Sequence, residues 1–343
     1  MEELERYSRQ ILFAGLGVEG QKRLANAHAV IIGCGALGCI QAEILARAGT
    51  GRITVADRDF VDESNLQRQI LFDESDARER LPKAIAAARR LAKVNSGIRI
   101  DPVVADVTFE NIEDLIAGAD VVLDGTDNFE TRFLINDAAI KMKLPWIYGA
   151  AVGSYGVTMT VVPGSGPCLR CAMERMPEPG TSPTCDTAGV LMPVVTTIAS
   201  FQASEAIKLM TGNEDKLHRS VVSVDIWDFQ ISRLDAMGLA DRSECAACGH
   251  RSFEYLRGRA RQTATTLCGR DAVQIAASKG PELDLASLAR RLRGLGDITH
   301  NQYLLRFRVD GYDMTVFRDA RSIIRGTNDP VVARNLYARY IGV

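Results

Sequence analysis

The sequence predicts an α/β fold: a doubly wound, mainly parallel sheet over residues 1–258, followed by a small α+β domain over residues 259–343. Three observations point there. Short apolar runs alternate with amphipathic helical stretches from Ala29 to about Ala150. A glycine-rich turn joins the first of those runs to the first helix. After Cys248-Gly249-His250 the pattern changes to closely spaced alternating strands.

In chain order, Ala29–Ile32 reads as a buried strand. Leu37, Ile40, Ile44 and Leu45 form a helical stripe closed by Gly49. Ile53–Ala56 is the second strand, and Pro82 opens a helix running to about Asn95. Val121–Leu123 is a strand, Phe129–Met142 a helix and Trp146–Tyr148 a further strand. Strands separated by helices pair in parallel, with helices on both faces. Tyr155–Val162 is strand-like, Pro163–Pro193 is loop-rich, Val194–Met210 is helical and Val221–Val224 is a strand. In the tail, Leu285–Leu292 reads as a helix. Tyr303–Val309, Tyr312–Phe317 and Ser322–Ile324 alternate like strands, with Asp310-Gly311 as a hairpin turn, and Pro330–Tyr340 is a closing helix. There is no internal repeat.

Composition narrows the class. A hydrophobic share of 46% and a charged share of 24% are those of a globular chain. No apolar run reaches bilayer length, which argues against a membrane protein. The charged start, MEELERYSRQ, lacks an apolar signal core, so a cytoplasmic, reducing setting is expected. In that setting eight cysteines suggest metal binding or catalysis before disulfides. Residues 259–343 carry 14 Arg/Lys against 8 Asp/Glu, a balance of +6, whereas the whole chain stands at −2. That basic tail could face an acidic partner, nucleic acid or the acidic body of its own chain.

Gly33-Cys34-Gly35-Ala36-Leu37-Gly38 lies between a strand and a helix, and Asp57 ends the next strand. This is a Rossmann-like arrangement. Its glycines let a phosphate approach the backbone, and the acid can hold ribose hydroxyls. By itself it suits NAD, FAD or ATP equally. The polar loop Ser64-Asn65-Leu66-Gln67-Arg68-Gln69, Lys83 at a helix start and Asp127-Asn128 past the Val121 strand shift the balance to ATP. A triphosphate needs several cations and a metal ion, and Asp127 could hold Mg²⁺. Each of these residues singly also reads as an ordinary surface charge or helix cap. Their joint placement at strand ends argues for a site.

Cys168-Leu169-Arg170-Cys171 and Cys245-Ala246-Ala247-Cys248 are two Cys-x-x-Cys knuckles. Four thiolates form a closed structural zinc site with no position open for chemistry. Cys34 and Cys39 sit in apolar runs and read as core, and Cys268 as structural. Cys185, in the polar stretch Pro183–Gly189, reads as exposed and potentially reactive. The four histidines, His28, His218, His250 and His300, form no catalytic pattern. A carboxylate attacking the α-phosphate of ATP would need none, because it is already ionised at neutral pH.

Arg6-Tyr7-Ser8-Arg9-Gln10, the glycine turn, Ser64–Gln69, Gly125-Thr126-Asp127-Asn128, both knuckles and Thr184–Val190 together resemble the ThiF/MoeB/HesA adenylyltransferases, bacterial relatives of ubiquitin-activating enzymes. The match runs over about residues 1–250 in the family's motif order. The resemblance implies a homodimer in which Asp57, Asn65, Arg68, Lys83 and Asp127 contact ATP·Mg²⁺ and Arg9 reaches over from the partner subunit. It implies adenylation of the C-terminal Gly-Gly carboxylate of a ubiquitin-like sulfur carrier of ThiS or MoaD type. Cys185 matches a position linked to the carrier in some members. Sulfur then comes from a separate donor such as a cysteine desulfurase. The tail is similar to the extension on ThiF-like proteins of Gram-positive bacteria, which favours thiamine-thiazole synthesis over molybdopterin. It is expected to dock a carrier or donor. The rival readings are an NAD-dependent dehydrogenase, a tRNA-modifying adenylating dehydratase and a zinc-stabilised platform without catalysis.

Overall fold

The computed structural model describes residues 2–177, 188–238, 242–258, 264–267, 271–275 and 282–341. The chain divides into two compact units, Met1–Arg259 and Ala260–Val343. The first unit is built on an eight-stranded sheet: β1 (His28–Ile32), β2 (Arg52–Asp57), β3 (Arg99–Val104), β4 (Val121–Asp124), β5 (Trp146–Val152), β6 (Tyr155–Val161), β7 (Ser220–Asp225) and β8 (Gln230–Asp235). Their order is β3-β2-β1-β4-β5-β6-β7-β8. The pairings β3-β2, β2-β1, β1-β4 and β4-β5 are parallel, while β6, β7 and β8 join antiparallel. The parallel part has the crossover helices that parallel strands require; β6 follows β5 and β8 follows β7 through tight hairpins, which impose the opposite sense.

β1 is buried at every position, as a central strand covered on both faces must be. Val30 and Ile32 face a core shared with the helix Phe129–Met142 and with Ile112 and Ile116. On the other face the helix Ala36–Ala48 lies beside the helix Met192–Thr211, packing Leu37 and Ile40 against Val194, Val195 and Ile198. Gly49 ends the first of these helices at φ 86°, the left-handed cap that its sequence position predicts. Ile32 pairs with Ala56 on one side and Asp124 on the other, so the ends of β1, β2 and β4 open together at one edge. Open α/β sheets bind ligands at that edge. Periodicity alone gave no sign of β3, β8 or the helix Gly17–Asn26.

The second unit is a six-stranded antiparallel sheet of order β11-β12-β13-β14-β10-β9, from β9 (Ala264–Leu267), β10 (Ala272–Ile275), β11 (Asp297–His300), β12 (Leu304–Val309), β13 (Tyr312–Phe317) and β14 (Ser322–Arg325). The helices Leu285–Leu292 and Pro330–Tyr340 cover one face, packing Leu288, Leu292, Leu336 and Tyr340 on Leu305, Phe307, Met314 and Val316. Asp310 and Gly311 turn between β12 and β13 with φ 52° and 84°, as the hairpin reading requires. Asp284 and Asp329 cap the two helices. Among the described residues no helix is long and apolar enough to cross a membrane.

Candidate active site

The glycine turn is shaped by backbone contact. Gly33 has φ 90°, and a Cβ there would lie 2.7 Å from the Gly125 carbonyl. A Cβ on Gly38 would lie 2.0 Å from the Gly33 oxygen. A side chain at Gly33 would force apart the loops that follow β1 and β4, and one at Gly38 would strike the Gly33 carbonyl within the turn itself. Gly35 differs: its Cβ would meet nothing closer than 3.6 Å, so the surrounding protein does not itself require a glycine. Ala36 opens the helix Ala36–Ala48 beside it. The Asp57 carboxylate accepts from the Cys34 backbone N–H at 2.6 Å and the Asp59 N–H at 2.6 Å, tying the end of β2 to the turn. Burial raises the Asp57 carboxyl above its ordinary value, against the pull of the Lys83 ammonium.

Lys83 is only 4% exposed, an unusual state for a lysine. Two strand-like hydrogen bonds hold its segment, Lys83 N–H to the Asp59 carbonyl at 2.9 Å and Val61 N–H to the Leu81 carbonyl at 2.8 Å. Its ammonium lies 3.5 Å from Asp59 Oδ2. The loop Ser64–Gln69 is organised by Asp62, which accepts from Ser64 N–H and Oγ–H, while Asn65 Oδ1 accepts from Asp62 N–H. Asn65 is buried; Ser64 and Gln67 are exposed. The Arg68 guanidinium donates to the Ser64 carbonyl at 3.0 Å and has no carboxylate partner among the described residues.

Past β4, Asp124 is fully buried. Its carboxylate accepts from Thr126 N–H and Oγ–H at 2.9 and 2.7 Å and from Arg132 Nε at 3.1 Å. Arg132 also donates to the Thr126 carbonyl at 2.8 Å. The Asp124 carbonyl accepts from Gln41 and Gln202, each at 2.9 Å. This buried network sets the Gly125-Thr126-Asp127 loop and leaves Asp127 exposed at its tip. Burial works against the Arg132 charge, but Asp124, Tyr148 and Asp127 outweigh it. Asn128 caps the helix Phe129–Met142, its Oδ1 accepting from Thr131 N–H at 2.8 Å, so that oxygen is already engaged.

The structure therefore gathers the glycine turn, Asp57 and Lys83, with Asp127 on the adjoining loop. It does not gather Arg9. Arg6 donates to the Val94 carbonyl, Tyr7 accepts from Asn95 and Gln10 donates to the Ala48 carbonyl, all at helix ends remote from the glycine turn. The 13-residue helix Ala36–Ala48 separates the two places, a rise of about 20 Å. Arg9 is exposed on the short helix Ser8–Ile11, in that same remote segment. Cys185 lies outside the described residues. The sequence reading passed over Arg58, Asp59, Asp124, Arg132, Gln41 and Gln202. A polar residue on an otherwise buried helical face was the available signal for the two glutamines.

Cys168, Cys171, Cys245 and Cys248 converge, with all four sulfurs within 4.8 Å of one another. The Sγ separations are 3.9 Å for 168–171, 3.7 Å for 168–245 and 3.4 Å for 171–248. Sulfurs about 2.3 Å from a tetrahedral zinc stand about 3.8 Å apart, so the donor set fits that ion. Each knuckle is a tight turn, with Cys171 N–H donating to the Cys168 carbonyl at 3.0 Å and Gly249 N–H to the Cys245 carbonyl at 3.0 Å.

The ThiF family model matches residues 7–247. The sulfur carrier protein ThiS adenylyltransferase of Bacillus subtilis is 48% identical over 338 residues, covering 98% of this chain and 99% of its own. The sulfur carrier protein adenylyltransferase of Thermus thermophilus is 35% identical, covering 72% of this chain and 92% of its own. A crystal structure of E. coli MccB with ATP superposes with a TM-score of 0.63 at 25% identity, covering 71% of this chain and 75% of that one.

Proposed function

The chain belongs to the ThiF family, and from that premise we propose that it is an ATP-dependent adenylyltransferase acting on the C-terminal carboxylate of a ubiquitin-like sulfur carrier. The carrier is of the ThiS type and the pathway thiamine-thiazole synthesis, because the similarity to the Bacillus subtilis enzyme runs through the tail as well as the first unit. Residues 260–343 are then a carrier- or donor-docking unit.

The observation that carries the reading is a buried lysine whose charge acts on the acid that ends β2 and on Cys34 of the glycine turn, with an exposed carboxylate on the loop past β4. In this reading the turn Gly33–Gly38 takes phosphate on its backbone N–H groups and the helix start behind them. Asp57 holds the ribose; Ser64, Asn65, Gln67, Arg68 and Lys83 face the phosphates. Asp127, with Asn128 beside it, would hold Mg²⁺, which neutralises phosphate charge when bound. The carrier's terminal carboxylate oxygen attacks the α-phosphorus, forming an acyl-phosphate bond. The bond from that phosphorus to the bridging oxygen breaks, and pyrophosphate leaves with the electron pair. No base is needed, since the nucleophile is already ionised; alignment and positive charge supply the rate. The partner subunit of a homodimer supplies Arg9. Cys185 is the candidate for a covalent carrier link, and a separate donor such as a cysteine desulfurase brings sulfur. The four-cysteine cluster binds zinc and closes the fold.

The test is carrier-dependent exchange of labelled pyrophosphate into ATP. The wild-type chain should exchange with a carrier ending in Gly-Gly, and Asp127→Ala should lose at least about 100-fold of that rate with an unchanged melting temperature. Silence with every Gly-Gly carrier, or NAD binding in place of ATP, would refute the reading.

A further inference from the structure

We propose that Asp106, tethered by Arg58, reads the purine base and selects adenine over guanine; the inference rests on the ATP-site reading above. In the strand order β3-β2-β1, phosphate at the turn after β1 and ribose at the end of β2 direct the base outward toward the end of β3. Asp57 pairs with Val104, so Asp106 stands two residues past the end of β3 and Arg58 one past the end of β2. Arg58 Nη1 donates to Asp106 Oδ1 at 3.0 Å, with the two side chains 26% and 23% exposed. They are sheltered enough to discriminate and open enough to be reached.

The Asp106 backbone is firmly placed. Asn111 Nδ2 donates to the Asp106 carbonyl at 2.8 Å, and Thr108 N–H donates to Asn111 Oδ1 at 2.8 Å, closing the loop on itself. Burial works against the Arg58 charge, but Asp106, Asp59 and Asp127 together hold the guanidinium firmly protonated. An ionised carboxylate only accepts hydrogen bonds. The exocyclic amine of adenine donates to it; the carbonyl that guanine carries at the same ring position is another acceptor and is repelled. A half-sheltered polar group left facing the wrong partner discriminates by tenfold or more, at roughly the scale of one unpaired hydrogen bond. Arg58 is a positioning residue in this scheme.

The experiment compares kcat/KM for ATP and GTP in carrier-dependent pyrophosphate exchange by the full chain. Asp106→Ala should reduce the ATP-over-GTP preference about tenfold or more, and Arg58→Met should shift it in the same direction. Asp106→Asn, which keeps shape and can turn its amide toward a carbonyl, should gain activity with GTP relative to wild type. Should Asp106→Ala fold poorly, Asp106→Asn decides. An unchanged preference in a folded Asp106 variant, beside a wild-type chain that exchanges with ATP, overturns this inference alone. A wild-type chain inactive with ATP overturns the site reading and this inference with it.

Discussion

Asp137 shows how one residue's surroundings set its chemistry. It is fully buried on the helix Phe129–Met142, and Tyr255 N–H donates to its Oδ2 at 3.0 Å. Among the described residues its Oδ1 has no hydrogen-bond partner. Burial pushes the carboxyl up to about 6, opposed by the Tyr255 N–H and the Arg170 charge. An unfolded aspartate titrates at about 4, so the folded chain holds the extra proton between about pH 4 and 6. The stability tied to Asp137 is full below that window and is lost as pH rises through it. The loss is on the order of 2–3 kcal/mol. Asp137→Asn should flatten the dependence of unfolding free energy on pH between about 4 and 6 and stabilise the chain above it. Denaturation at several pH values checks this, and parallel slopes for the two proteins would contradict it. Lys83 illustrates the reverse case, a buried cation whose charge opposes the burial-driven rise of the Asp57 carboxyl and whose ammonium lies 3.5 Å from Asp59 Oδ2.

Among the elements, the two knuckles have the most concentrated effect. They join the turn at Leu169–Ala172 to the segment after Arg242–Glu244, and Cys168, Cys245 and Ala247 lie in the core that backs the helix Phe129–Met142. Removing one thiolate would leave three ligands for the proposed four-cysteine zinc site. Cys245→Ser should lower bound zinc well below about one ion per chain and lower the melting temperature, because metal binding and folding are linked. Elemental analysis beside calorimetry reads both. Full metal content in the variant would remove Cys245 from the ligand set. The loops after β1 and β4 form the second such junction: their glycines allow the backbones to touch, and the Asp124–Arg132 pair braces the result from beneath.

For the whole molecule, the placement of Arg9 is the observation with consequences. It lies about 20 Å of helix away from the glycine turn of its own chain, so in the proposed homodimer an Arg9 that serves catalysis would act in the partner's site. Arg9→Ala and Lys83→Ala should each be inactive alone. In the proposed homodimer, mixing them one to one with subunit exchange would make half the dimers hybrids with one intact site in two, and about a quarter of wild-type exchange should return. No recovery, with hybrids demonstrated by mass, would place Arg9 outside the reaction. By itself the sequence determined four of the five parallel strands, β1, β2, β4 and β5, together with the glycine turn, the Asp310-Gly311 hairpin, the polar residue types at the sheet edge and both knuckles. Periodicity, turn chemistry and short spacings belong to contiguous residues and survive without a partner. Only the tertiary structure decided that β6, β7 and β8 run antiparallel, that Arg58 meets Asp106 and Arg132 meets Asp124, that Gln41 and Gln202 share one carbonyl, and that Arg9 stands apart. Each depends on which distant segments pack together, and packing free energy is collected over many side chains that no local spacing records.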